Sequence, residues 1–292
     1  MTSVAYGIAL PAGRGVLHPG TLAPPLDQVS GVTISAAWGL ARPMLSSFSA
    51  GNRGRVRDTT TAGESDFVAP ADATSFLAGD AGAVETLYDH SGNGRALTQS
   101  SASLQPAFST SVGPNARAGA ALDNSDDTMA TAANMSAMFT TSSWYWAAVV
   151  LFNALNSGST HENAAVSGDQ LVIGNRGAGY LQMVVLANGK AAVGEFGTGV
   201  VLSGAGAVVA GAPVVLETRR SGGATSLRVN GASWIDVTMG DPTSLDEPLT
   251  IGKCWASGLP FNGAFLEGYV ASAEPAQSAA VVANMKSYYG IP

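Results

Sequence analysis

Leu87-Tyr88-Asp89-His90-Ser91-Gly92-Asn93-Gly94-Arg95-Ala96-Leu97-Thr98-Gln99, followed by Leu104-Gln105-Pro106, is the stretch on which the fold turns. A β-rich run stops at Tyr88, a polar loop follows, and a second run starts at Ala96. Asp89 is placed to accept from the backbone N–H groups after it in an Asx-turn, and Gly92 and Gly94 supply left-handed φ values around Asn93. Tyr88, Asp89, Ser91, Gly92, Asn93 and Gly94 are therefore read as a structural turn motif at a sheet edge.

Downstream the same theme repeats as short β-rich runs divided by Gly, Asn, Asp and Ser. Trp144 to Phe152 is the strongest, apolar at every position and read as a central strand of a sandwich. Asn188-Gly189 and Asn230-Gly231 each separate two runs and mark antiparallel hairpins. The last segment is different. After Pro275, Val281, Val282, Met285 and Tyr289 recur at helical spacing until Gly290.

Upstream, Ile34, Trp38, Leu40, Met44 and Leu45 can share a helical face, so a short helix is expected within Thr33 to Ser47. In Arg53-Gly54-Arg55-Val56-Arg57 the arginines fall on one side of a strand. With Asp58, Glu64, Asp66 and Asp72 close by, they are read as a paired, solvated face. Residues 1–30 hold Pro11, Pro19, Pro24 and Pro25 and follow neither period; they are expected to form an extended arm, with one domain over 31–292.

The turn motif resembles the YDQSGNG segment of concanavalin A-like, laminin-G-like jelly rolls, in the version shared by arabinofuranosidase-type catalytic domains and bacteriophage structural proteins. Ala37-Trp38-Gly39-Leu40 with Arg55-Val56-Arg57, Gly119 to Asp127, Leu249 to Gly252 and Phe261 to Glu267 extend the likeness over residues 31–291. The resemblance implies an all-β, antiparallel β-sandwich with a short N-terminal and a short C-terminal helix. It does not fix an activity, because such folds host lectins, hydrolases and structural modules alike.

Composition narrows the rest. Of 292 residues only 12% are charged, and 14 basic against 21 acidic side chains give a formal charge of −7. That disfavours a coiled coil or helical bundle and argues against nucleic acid or anionic lipid as partner. Residues 196–216 are uncharged, but glycines and Pro213 break them into short strands, so no membrane insertion is expected. A single Cys254 allows no internal disulfide, and the first residues lack a secretory leader's pattern.

Catalytic signatures are incomplete. Glu64-Ser65-Asp66 opens a Glu-x-Asp pattern, but Ala69 and Pro70 stand where a second glutamate would complete it. Glu195 and Glu217 end apolar runs and could pair across a cleft as catalytic acids, but they read as exposed, solvated strand caps. Gly-x-Ser-x-Gly is absent, His18, His90 and His161 are far apart, and His90 reads as a hydrogen-bonding loop residue. Asp123, Asn124, Asp126 and Asp127 offer hard oxygen donors without EF-hand spacing, so no metal and no cofactor is assigned and calcium is left open there. Trp255, with Asn262 close in sequence, is the candidate glycan contact.

From these features the expected function is a non-catalytic structural component of a bacteriophage-like virion. It would be assembled in the host cytoplasm and joined to other virion proteins through the N-terminal arm. It would be displayed on the particle, with cell-surface glycan as a candidate ligand and a homo-oligomer left open. The alternatives are a glycoside hydrolase of arabinofuranosidase type and a freestanding lectin.

Overall fold

The computed structural model describes residues 22–156, 170–174, 181–195, 199–238, 245–253 and 260–292. In chain order the first strands are β1 (Ile34–Gly39), β2 (Gly54–Asp58), β3 (Glu64–Phe67), β4 (Gly82–Leu87), β5 (Leu97–Thr98) and β6 (Ala107–Val112). Next come β7 (Arg117–Asp123), β8 (Thr128–Asn134), β9 (Ser143–Phe152), β10 (Gln170–Gly174), β11 (Leu181–Val185) and β12 (Ala191–Glu195). The last are β13 (Gly199–Leu202), β14 (Pro213–Ser221), β15 (Ala224–Val229), β16 (Ile235–Thr238), β17 (Pro248–Gly252) and β18 (Asn262–Ala271). Two α-helices, α1 (Pro70–Leu77) and α2 (Ser278–Tyr289), complete the chain.

All strand pairings are antiparallel and resolve into two layers. The first sheet runs β3-β2-β4-β5-β8-β17-β10-β11-β12-β13. The second runs β16-β15-β14-β9-β18, and the far side of β18 is taken by β7 along its first half and β1 along its second. β6 pairs with β7 and touches β4 at Ala83↔Ala107, joining the layers at one corner. The result is the antiparallel β-sandwich that the sequence predicts.

β9 shows why this sandwich has a covered back. Trp144, Trp146, Ala148, Val150 and Phe152 face the core between the sheets, with Trp38, Val84, Met129 and Leu216. The alternate residues Tyr145, Ala147, Val149 and Leu151 lie beneath α2, against Val281, Val282, Met285 and Tyr289. A strand with apolar side chains at both parities needs a third layer, and α2 provides it. Gly290 (φ +72°) ends that helix in the left-handed conformation.

Two local readings change. Residues 34–39 are a strand, not a helix: β1 pairs with β18 and sends Trp38 into the core, so long-range pairing overrides a weak helical period. The early helix lies instead at Pro70–Leu77, where Pro stands at the first turn and the Asp72 carboxylate accepts from Ala69 N (2.8 Å). Residues 22–30, the described part of the N-terminal segment, lie on α2. Leu26 is buried there, Leu26 N donates to Met44 O (3.0 Å) and Asn284 Nδ2 donates to Ala23 O (3.0 Å). Among the described residues no helix is long and apolar enough to cross a membrane.

Candidate functional site

The turn motif closes an open sheet edge. β1 pairs with β18 on one side only, and on its other side the loop after β4 supplies partners that a strand would otherwise give. Asp89 Oδ1 accepts from Ala37 N (3.0 Å) and Ser91 N (2.9 Å), and Oδ2 accepts from Ser91 Oγ (2.9 Å) and Arg95 N (3.0 Å). His90 N donates to Ala37 O (2.7 Å), while Asn93 Nδ2 reaches Ile34 O and Ser35 O. Gly92 (φ +82°) and Gly94 (φ +71°) make the bends. Tyr88 points elsewhere, its hydroxyl donating to Asp66 (2.8 Å).

His90 belongs to the same closure. Its Nδ1 accepts from Met44 N (3.1 Å), its ring stacks on Phe48, and burial first, then Arg53, lowers its pKa to about 3. A neutral, enclosed imidazole of this kind is a structural acceptor rather than a base at physiological pH.

The outer face of the first sheet carries an open groove; another, of about 440 Å³, is lined by Ser143, Arg219, Ser226, Asp236 and Glu274. The volume of the first is about 380 Å³, and it is lined by Thr98, Gln99, Ser100, Leu104, Asp126, Thr128, Ala130, Pro248, Thr250 and Lys253. The register explains the floor: Thr98 pairs with Ala130 and Ala130 with Thr250, so small side chains from three adjacent strands meet on one row. Their neighbours Leu97, Met129, Leu249 and Ile251 point into the core. Hydroxyls, an amide, one ammonium and a carboxylate around a shallow floor are a hydrogen-bonding surface of the sort that sugar hydroxyls fit.

One end of the groove is the turn from β7 to β8. Asp123, Asp126 and Asp127 bring carboxylate oxygens within 4.8 Å of one another there. Asp127 is buried, its Oδ2 accepts from Asp123 N (2.9 Å), and its pKa is pushed up to about 6 by burial first and by Asp123 and Asp126 after that. These three are, among the described residues, the group that could hold a divalent cation. Asn262 stands in register with Asp123 at the start of β18, and its backbone N–H donates to Gln170 Oε1 (2.7 Å).

Other sequence candidates are placed differently. Glu217 is fully buried under α2, with Oε1 2.5 Å from both Arg228 Nη2 and Tyr145 Oη. Burial raises its pKa, and Arg228 and Tyr145 oppose the rise. It faces no cleft and cannot meet a substrate. Arg55 and Arg57 are paired to Asp66 (2.8 Å) and Glu64 (2.5 Å), as the sequence suggests, whereas Arg53 turns to Ala41 O (3.0 Å). Trp255, Cys254, His18, His161 and the side chain of Glu195 lie outside the described residues. The threonines of the groove went unnoticed in the sequence; the signal for them is a small polar residue at each outward position of a short apolar run.

No family profile and no curated protein matches the sequence. Solved structures share the fold. An arabinofuranosidase complexed with arabinofuranosyl-α-1,2-xylobiose aligns over 88% of this chain and 63% of its own, at 14% identity and TM-score 0.64. A GH54 α-L-arabinofuranosidase soaked with a cyclic sulfate inhibitor aligns over the same shares, at 15% identity and TM-score 0.61. The chain thus spans 63% of the length of these solved chains. The likeness is one of fold: the antiparallel β-sandwich of this chain is shared by these arabinofuranosidase structures.

The expectation of a chain without enzymatic activity is corrected by this finding: the structures that share its fold over most of its length are glycoside hydrolases. The earlier expectation rested on the absence of a linear carboxylate motif.

Proposed function

We propose that the chain is a glycoside hydrolase of arabinofuranosidase type that binds its glycan in the groove over β5, β8 and β17. The observation that carries this reading is the carboxyl cluster at the groove's end, in which Asp127 is held near a pKa of 6 beside Asp126, which lines the groove. Glycosidic hydrolysis needs a carboxyl group that keeps its proton beside a second carboxyl group, and burial gives Asp127 that property. Asp127 takes the role of acid and Asp126 that of nucleophile. One oxygen of each lies within 4.8 Å of the other.

Asp127 then protonates the leaving oxygen while an Asp126 oxygen bonds to the anomeric carbon. Water, deprotonated by Asp127, releases the sugar and restores both groups. The test is release of 4-nitrophenol from 4-nitrophenyl α-L-arabinofuranoside, with arabinose-bearing polysaccharides in parallel. Asp126→Asn and Asp127→Asn should each lower kcat/KM by about 10²–10⁴-fold, and wild-type activity should fall as pH rises through about 6, where Asp127 loses its proton. Absence of hydrolysis on the whole panel by the folded wild-type protein overturns the proposal.

A further inference from the structure

The second groove lies on the other sheet, where α2 stops short of the strand ends. Tyr145 is covered by the helix, and Ser278, its first residue, accepts from Arg228 Nη2 (3.3 Å) and donates to Glu274 Oε1 (2.7 Å). Past that point two cross-strand rows of the same outer face remain. In one, Arg219 pairs with Ser226 and Ser226 with Asp236; in the other, Ser143 pairs with Ser221, Ser221 with Ala224 and Ala224 with Thr238. Alternate residues of a strand share a face, so both rows lie on the side of Tyr145, and the outer row is made of small hydroxyl and methyl groups. The recess over them has a volume of about 440 Å³, within the range of about 300–1,000 Å³ common to ligand sites.

Its wall is held by Arg219. Nη1 donates to Glu274 Oε2 (2.5 Å), Nε donates to Ser226 Oγ (3.3 Å), Nη2 lies 3.5 Å from Asp236 Oδ1, and the guanidinium stands 4.3 Å from the centre of the Trp234 ring. Ser226 Oγ donates to the same Asp236 oxygen. Arg220 is buried and turned to Thr141 O (2.6 Å) and Thr225 Oγ1 (2.8 Å). The lining sets Arg219 and Arg220 against Asp236 and Glu274, so its charges balance. The Asp236 side chain is 57% exposed, which leaves its Oδ2 to accept from a ligand, beside the exposed Ser221.

We propose that this recess is a second glycan-binding site, which takes one uncharged sugar unit on the sheet opposite the first groove. A fixed carboxylate beside small hydroxyl groups matches the neighbouring hydroxyls of a sugar, each of which both donates and accepts. An ionised ligand finds no counterpart there, because the Arg219 donors are already engaged within the wall. The site goes beyond the hydrolytic reading: it holds a glycan and breaks no bond. A long glycan engaged on both sheets is kept at high effective concentration over the first groove.

The experiment follows backbone amides of the full chain by NMR during titration with xylotetraose, which carries no arabinose to be released, with arabinotriose and with glucuronate. Both neutral sugars should shift the amides of Ser221, Ala224 and Asp236 saturably, and glucuronate should not. Asp236→Ala should weaken that response at least about tenfold, the worth of one hydrogen bond to a charged group, and leave the response of Thr98, Ala130 and Thr250 as in wild type. Ala224→Tyr fills the floor without removing a hydrogen bond and should abolish it. No saturable shift with either neutral sugar, unchanged affinity in both variants, or tighter binding of glucuronate each overturns the proposal. Hydrolysis without a response in this recess sinks this site alone; a response in a protein that hydrolyses nothing sinks the hydrolytic reading alone.

Discussion

Replacing Asp89 with alanine removes the acceptor for three backbone N–H groups at once, those of Ala37, Ser91 and Arg95, together with the Ser91 hydroxyl. Asp89 is buried, and the carboxylate is what holds the loop against the free side of β1. An unmade hydrogen bond at a buried donor costs about 1–3 kcal/mol. The Ser91 and Arg95 bonds are partly buried, which sets them at the low end, so the sum is about 3–5 kcal/mol. That is a large share of the roughly 5–15 kcal/mol that holds a domain together. Asp89→Asn keeps Oδ1 for Ala37 and Ser91 but turns an amide toward Arg95 N–H, and should cost about 1–2 kcal/mol. Urea unfolding followed by tryptophan fluorescence measures both, because Trp38 donates its indole N–H to Arg95 O (2.8 Å) within the same closure. A loss below about 1 kcal/mol for Asp89→Ala, at unchanged denaturant slope, would refute the reasoning.

Glu217→Ala takes from Arg228 its partner at 2.5 Å and leaves it Ser278 Oγ (3.3 Å) and Glu274 (3.6 Å), so it should destabilise by about 3 kcal/mol, while the double replacement Glu217→Leu with Arg228→Met should recover most of that loss; thermal and urea unfolding compare the two. His90, with a pKa near 3, should show no imidazole titration by NMR between pH 5 and 8; a midpoint near the ordinary 6.5 would mean that the ring is exposed. Gly252→Ala sets a Cβ against the backbone oxygen of Asp127 at a φ of +92°. It should cost about 2 kcal/mol or more and weaken glycan binding in the groove, read by calorimetry against the wild type.

What the sequence determined by itself is local chemistry with a fixed backbone consequence. The Asp89 turn with its two glycines, the run Trp144 to Phe152, the Asn-Gly hairpins and the helix closed by Gly290 depend on residues within a few positions of one another. Each survives in the structure, though Asn188-Gly189 does so with only the glycine at positive φ. The β1 strand was misread because its partner, β18, lies more than two hundred residues away, and a pattern of five apolar residues cannot report a distant pairing. The groove was invisible for the same reason: Thr98, Ala130 and Thr250 come from three separate segments and share a floor only through cross-strand register. Protonation states were decided last of all. Asp127 and Glu217 are ordinary carboxylates in the sequence, and burial together with the charges set beside them by folding raises the pKa of the first to about 6 and makes the second one half of a buried ion pair.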